Sequence, residues 1–163
     1  VICNKKEIFW KHSFQLGAAR LLESFQPQDP VTSTEVKSIE VYLENMLTPL
    51  WEALKKFPCD TLVGSSGSFD TLSEVIAHKF YDISILKEKT TYDFKLSDYF
   101  WFHDYFLKSN LEKHLKTPGM IRMRADMIVI SSIFINYLLK REKILSMKLS
   151  TYALKEGILK TLS

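Results

Sequence analysis

The segment Asp60-Thr61-Leu62-Val63-Gly64-Ser65-Ser66-Gly67-Ser68-Phe69-Asp70-Thr71-Leu72 constrains the chain more than any other. A short β-prone run meets a Gly/Ser loop, and helical periodicity starts at once. A strand delivered straight into a helix in this way belongs to an α/β domain. Such a turn lets backbone approach a ligand and aims unpaired N–H groups at an anion. Gly64 and Gly67, having no Cβ, can enter left-handed or crowded conformations there. The same layout also suits an ordinary strand-to-helix connection, and spacing alone leaves both readings open. Gly64, Ser65, Ser66, Gly67 and Ser68 are thus candidate anion-binding positions.

The flanking elements agree with this class. Val1-Ile2-Cys3 reads as a strand, Asn4-Lys5-Lys6 as a tight turn, and residues 7–13 as the returning strand. A start in mid-hairpin without Met suggests a piece of something longer. Leu16-Gly17-Ala18-Ala19-Arg20 leads into a short helix ending near Phe25, followed by a loop between Pro27 and Pro30. Thr32 and Glu35 have capping-box spacing, and the helix they open places Val36, Ile39, Leu43, Met46, Leu50, Leu54 and Phe57 on one face. Pro49 should kink that helix, because its ring clashes with the Asn45 carbonyl, and Pro58 should end it.

Beyond the Gly/Ser loop a helix is expected over 69–80. An ambiguous stretch over 83–93 follows, then a short strand at Phe94-Lys95-Leu96 and a helix from about Ser97. That helix carries Tyr99, Phe100, Trp101, Phe102, Tyr105 and Phe106. An aromatic stripe can stack bases, but it more commonly packs a core. Thr117-Pro118-Gly119 reads as a turn, Arg124 and Asp126 as the front of a long helix reaching Arg141, 145–149 as a strand, and Tyr152 onward as a last helix. The order is α/β, with helices covering a mixed sheet.

Composition narrows function by exclusion. With 163 residues, 46% hydrophobic and 13% aromatic, the chain can build a packed core as one domain. The net charge of +3 suits a polyanionic ligand, yet the lysines are dispersed and form no nucleic-acid arm, so no nucleic-acid polymer is expected as partner. Cys3 and Cys59 make neither a disulfide framework nor a metal site, and free buried thiols in a reducing cytoplasm are expected. The most apolar run, 127–139, is shorter than the ~20 residues that span a bilayer, so no membrane partner is expected. His12, His78, His103 and His114 lack tight ligand spacing; surface or capping roles suit His103 and His114 better than metal binding. Arg20 and Glu23 are placed to pair. No G-x-S-x-G elbow, Walker loop or Rossmann fingerprint is present.

Four separated segments, in order, resemble one family. Ser13-Phe14-Gln15-Leu16-Gly17-Ala18-Ala19-Arg20-Leu21-Leu22-Glu23 with Asp29-Pro30 is similar to S-x-x-x-G-A-V-R-L-T-E … D-P. Leu62-Val63-Gly64-Ser65-Ser66-Gly67-Ser68 is similar to a G-x-x-G-T loop, and Met123-Arg124-Ala125-Asp126-Met127-Ile128 to E-R-A-D-x-I. Ser150-Thr151-Tyr152-Ala153-Leu154-Lys155-Glu156-Gly157-Ile158-Leu159 is similar to S-x-x-x-L-R-E-G-x-L. These segments resemble the exopolyphosphatase / guanosine-pentaphosphate phosphohydrolases, which have the actin-like (ribonuclease H-like) two-domain fold.

The resemblance implies the second, C-terminal actin-like domain over residues 1–163, with the N-terminal domain as its missing partner. It implies a Mg²⁺-dependent hydrolase of inorganic polyphosphate or guanosine pentaphosphate, with catalytic residues and most Mg²⁺ ligands in that other domain. The isolated chain should then be inactive, and its cut surface should favour a homodimer. A non-catalytic polyanion- or nucleotide-binding module of the same fold is the alternative. Arg124 is the expected phosphate-binding side chain, an ion pair with Asp126 being its structural alternative. Lys155 stands where the family has Arg, Ser68 where it has Thr, and Arg122-Met123 where it has Pro-Glu. A lysine cannot reproduce the planar guanidinium fork.

Overall fold

The computed structural model describes residues 1–153. Strand β1 (Ile2–Cys3) pairs antiparallel with β2 (Ile8–Trp10) across a turn in which Asn4 Oδ1 accepts from the Lys6 and Glu7 N–H groups. The return strand is shorter than expected. From Trp10 the rings of Trp10, His12 and Phe14 stack on one another instead, with centroids 5.7 and 4.6 Å apart in sequence order.

Helix α1 (Ala18–Phe25) leads to α2 (Ser33–Met46), whose capping box is complete. The Glu35 N–H donates to Thr32 Oγ1 at 3.3 Å, and the Thr32 N–H donates to the Glu35 carboxylate at 2.7 Å. Pro49 does more than kink the helix: α3 (Thr48–Lys56) is a separate helix with proline in its first turn. Proline has no N–H to give the preceding turn, so other donors take those carbonyls. Thr48 Oγ1 donates to Asn45 O at 2.8 Å and Trp51 Nε1 to Glu44 O at 3.0 Å.

Strand β3 (Thr61–Ser65) enters α4 (Ser68–Phe80), followed by a 3₁₀ turn (Ile83–Leu86) and β4 (Thr91–Phe94). The strand expected at 94–96 therefore lies earlier and ends at Phe94. Helix α5 (Leu96–Lys108) is followed by a short α6 (Leu111–Leu115) that periodicity did not announce. Asn110 caps it, and the Asp29 carboxylate accepts from the Leu111 N–H at 2.9 Å. A 3₁₀ turn (Arg122–Arg124), α7 (Ile128–Arg141) and β5 (Ser146–Ser150) complete the order. Tyr152 and Ala153 are not helical. The remainder of the expected last helix, with Lys155 and Glu156, lies outside the described residues.

In the three-stranded sheet β5 is central, parallel to β3 and antiparallel to β4. Helix α7 separates two apolar cores. Ile128, Ile135 and Leu139 pack with α4, α5 and the sheet. Ile130 and Ile133 pack with α1, α2 and α3. Each such side chain contributes about 1.5–3 kcal/mol on burial, so this two-sided helix organises the fold. The aromatic stripe is mainly core: Tyr99, Phe102 and Phe106 are buried, whereas Trp101 is 43% exposed.

Two expectations about polar side chains are corrected. His103 and His114 are neither surface nor metal-binding residues; both are buried and hydrogen-bonded. His103 Nδ1 lies 2.8 Å from Ser132 Oγ, and Tyr99 OH donates to Ser132 O at 2.9 Å, tying α5 to α7. Burial pushes the His103 pKa down to about 4, with the Lys140 charge acting in the same direction. His114 Nε2 lies 2.9 Å from Ser109 Oγ, and burial lowers its pKa too. Cys3 and Cys59 are free, but Cys3 is exposed rather than buried.

Candidate functional site

The five loop positions divide into three structural roles. Gly64 and Ser65 belong to β3, opposite Leu149 and Ser150 of β5. A Cβ on Gly64 would overlap the Phe69 ring, which packs edge-on against Phe94 at 5.9 Å. Gly64 therefore lets the first turn of α4 fold back onto the sheet. Ser66 and Gly67 form the turn itself, with φ of 61° and 58°. Gly67 also has ψ of −119°, a backbone conformation that suits glycine rather than an L side chain. Ser68 is the first residue of α4, and its Oγ donates to Ser131 Oγ of α7 at 2.7 Å.

No side chain caps α4, because glycine holds the N-cap position. A helix begins with four N–H groups that have no intrahelical partner, so the first turn offers donors and a partial positive charge. Thr71 N–H returns to Gly67 O at 3.3 Å and Phe69 N–H to Ser66 O at 3.2 Å, which holds the turn in shape.

Arg124 comes to this turn from a distant part of the sequence. It lies on the 3₁₀ turn before α7, not on the helix as periodicity suggested. Its Nη1 is 3.0 Å from where a Gly67 Cβ would stand, so the guanidinium lies across the glycine. The alternative ion pair with Asp126 is not formed: among the described residues Arg124 has no carboxylate within ion-pair distance. Asp126 lies just before the Met127 N-cap of α7, not on the helix. Asp70, in the first turn of α4, feels the Arg124 charge. Burial raises its pKa, and Arg124 partly opposes that shift.

Arg124 stands between two concavities. One, of about 430 Å³, is lined by Gly17, Ser66, Gly67, Ser68 and Ser131 among others. The second, of about 660 Å³, is lined by the segment from Ser13 to Arg20 together with Met123 and Met127. Both reach the start of α1, where Gly17 is again an N-cap without side-chain capping and no acid stands in the first turn. Two helix N-termini and a guanidinium without an ion pair among the described residues therefore face the same space.

The role of the α1 start was missed in the sequence. Gly17-Ala18-Ala19 provides no Ser, Thr, Asp or Asn cap, and that absence was the available signal. Arg20 does not pair with Glu23; its Nη1 donates to Gln15 Oε1. Mg²⁺ finds no ready donor set: no group of three His, Cys, Asp or Glu side chains among the described residues is arranged to hold a metal. No helix among them is long and apolar enough to cross a membrane.

A model of the Ppx/GppA phosphatase family matches residues 1–162. The chain belongs to this family. An exopolyphosphatase from Cytophaga hutchinsonii superposes with a TM-score of 0.91 at 34% identity, covering 98% of this chain and 51% of that one. A PPX-GPPA enzyme of Aquifex aeolicus gives 0.75 at 25% identity, over 91% and 48%. Another Aquifex aeolicus structure, described as a Ppx/GppA family member, gives 0.73 at 26%, over 90% and 46%. The chain thus spans about half the length of these structures. A search of curated proteins finds no match. The mixed α/β fold is the actin-like one of these phosphatases.

Proposed function

We propose that this chain is the second actin-like domain of a Ppx/GppA-type phosphohydrolase and forms one wall of an interdomain cleft that holds a phosphoanhydride polyanion. The observation that carries this reading is Arg124 lying across Gly67 at the uncapped start of α4, without a carboxylate partner among the described residues. Phosphoryl transfer depends on positioning and on stabilising charge spread over the phosphoryl oxygens. An arginine fork and helix N–H groups supply that without any proton transfer. The α1 start, reached from the same concavities, extends the donor surface toward a further phosphate of the chain.

Inorganic polyphosphate and guanosine pentaphosphate are the two substrates this reading allows. The groups gathered around Arg124 suit binding rather than bond cleavage. The attacking water, its activating carboxylate and the Mg²⁺ ligands are assigned to the domain across the cleft. Free Cys3 and Cys59 accord with a cytoplasmic setting. Self-association is expected at the open edge of β3, where Val63 is 58% exposed.

A non-catalytic binding module of the same fold is the second reading, since the groups gathered around Arg124 are suited to holding an anion. Phosphate release from long-chain polyphosphate with Mg²⁺ present, measured on this chain and on the complete protein carrying it, separates the two. Release by the complete protein alone supports the enzyme. Inactivity of both, on polyphosphate and guanosine pentaphosphate, supports the module. Release by the isolated chain would overturn the assignment of the catalytic groups to another domain.

A further inference from the structure

We infer that the far end of α4 forms a second binding site, separate from the Arg124 cleft, for a small planar aromatic molecule carrying one anionic group. The cavity there has a volume of about 400 Å³ and lies among α4, α5, α6 and the turn after α6. That volume falls within the ~300–1,000 Å³ of small-molecule sites and admits a ligand of nucleoside-monophosphate size. Helix α4 starts at Gly67 and carries Val75 and Lys79 into this cavity, about 12–18 Å further along at 1.5 Å per residue.

The ring preference comes from the walls. Buried Val75 and Phe102 form an apolar floor. Trp101 and Tyr105 stand beside it with centroids 5.5 Å apart and planes only 11° from parallel. Trp101 remains 43% exposed, whereas Tyr99, Phe102 and Phe106 of the same helix are buried. A stacked, half-open aromatic pair over an apolar floor presents the surface that a flat ring covers well.

The charge preference comes from the rim. Lys79, Lys113 and Lys116 line the cavity, and no Asp or Glu among the described residues does. Lys79 Nζ sits 4.9 Å above the Trp101 ring. Lys116 holds Glu112 at 2.6 Å. Neither Lys113 nor Lys79 has an ion pair among the described residues; Lys79 already lies over the Trp101 ring, and the Lys113 ammonium is free of both kinds of contact there. Thr117 is fixed beside it, its hydroxyl donating to Lys113 O at 3.0 Å and lying 3.2 Å from Tyr105 OH. A neutral ring would leave this cationic rim unused, and an inorganic anion would leave the apolar floor wet.

The test follows the Trp101 indole and Thr117 amide signals by ¹H–¹⁵N NMR while adenosine monophosphate, adenosine and inorganic phosphate are titrated separately. Adenosine monophosphate should shift both signals saturably, with the other two at least about tenfold weaker. Lys113→Glu, on an exposed side chain without an ion pair, should weaken the nucleotide by about tenfold or more while leaving the rest of the spectrum in place. Arg124→Ala should leave the titration unchanged, which separates this site from the cleft. Equal binding of adenosine and adenosine monophosphate, no saturable shift at millimolar nucleotide, or retention of binding in Lys113→Glu would each overturn the inference.

Discussion

The Ser66–Gly67 turn and the Tyr99–His103–Ser132 cluster are both polar, yet they are built in opposite ways. In the cluster, buried groups on α5 and α7 satisfy one another: Tyr99 OH reaches Ser132 O at 2.9 Å and His103 Nδ1 meets Ser132 Oγ at 2.8 Å. At the turn, the start of α4 has no side-chain cap and Arg124 has no carboxylate partner among the described residues. Satisfied buried polar groups hold a fold together; unsatisfied donors at an open surface are held ready for something else. The molecule therefore keeps polar groups that satisfy one another apart from polar groups left open at the surface, and α7 joins the two. Its Ser132 belongs to the cluster, and its Ser131 accepts from Ser68 at the turn.

The sharpest way to break this division is Gly64→Ala, where the new methyl would enter the Phe69 ring. Overpacking of this kind costs about 1–3 kcal/mol, and chemical denaturation should place it near the top of that range. Gly67→Ala should cost about 1–3 kcal/mol through backbone strain and should also displace Arg124, so stability and anion affinity fall together.

Within the buried cluster, Tyr99→Phe should cost about 1 kcal/mol by leaving the Ser132 carbonyl without that donor, while phosphate affinity stays unchanged. The same cluster imposes a pH dependence. His103 titrates near 4 when folded and near its ordinary 6.5 when unfolded, so the unfolded chain binds more protons between those values. Its stabilising contribution is complete above about 6.5, is lost as pH falls toward 4, and levels off below. His114, also lowered, adds to that slope. His103→Gln should flatten the loss in a series of thermal unfolding curves across this window.

At the binding end the expected stability effects are small. Asp70→Asn removes a negative charge that Arg124 feels, and it should tighten tripolyphosphate binding by roughly two- to threefold at low salt. Smallest of all, Lys116→Ala should change stability by less than about 0.5 kcal/mol, since its pair with Glu112 is exposed. A large destabilisation there would mean that surface pairs matter more in this fold than the comparison allows.

Much of the architecture was legible where local chemistry decides it. Thr32 and Glu35 announced α2, and the Leu62-to-Phe69 layout announced the strand, turn and helix around the site. Reading failed where tertiary partners decide. Pro49 separated two helices because Thr48 and Trp51 were positioned to take the freed carbonyls, which no periodicity reports. Helix α6 is only Leu111–Leu115 and depends on Asp29, far away in sequence, for part of its capping. Gly64 looked like a loop residue but serves packing, because its neighbour across the turn is an aromatic ring. Arg124 was read as helical but lies on a 3₁₀ turn, and its contact with Gly67 exists only in three dimensions. The α1 start escaped because its signal was an absence, a helix without a cap.

The most direct test of the central claim is calorimetric titration of tripolyphosphate into the wild-type protein and Arg124→Ala, with thermal unfolding of both run in parallel. The account predicts an affinity loss of about tenfold or more, diminishing at high salt, with an unfolding midpoint that does not move. Unchanged affinity with an intact fold would contradict it, and would return Arg124 to the structural residues.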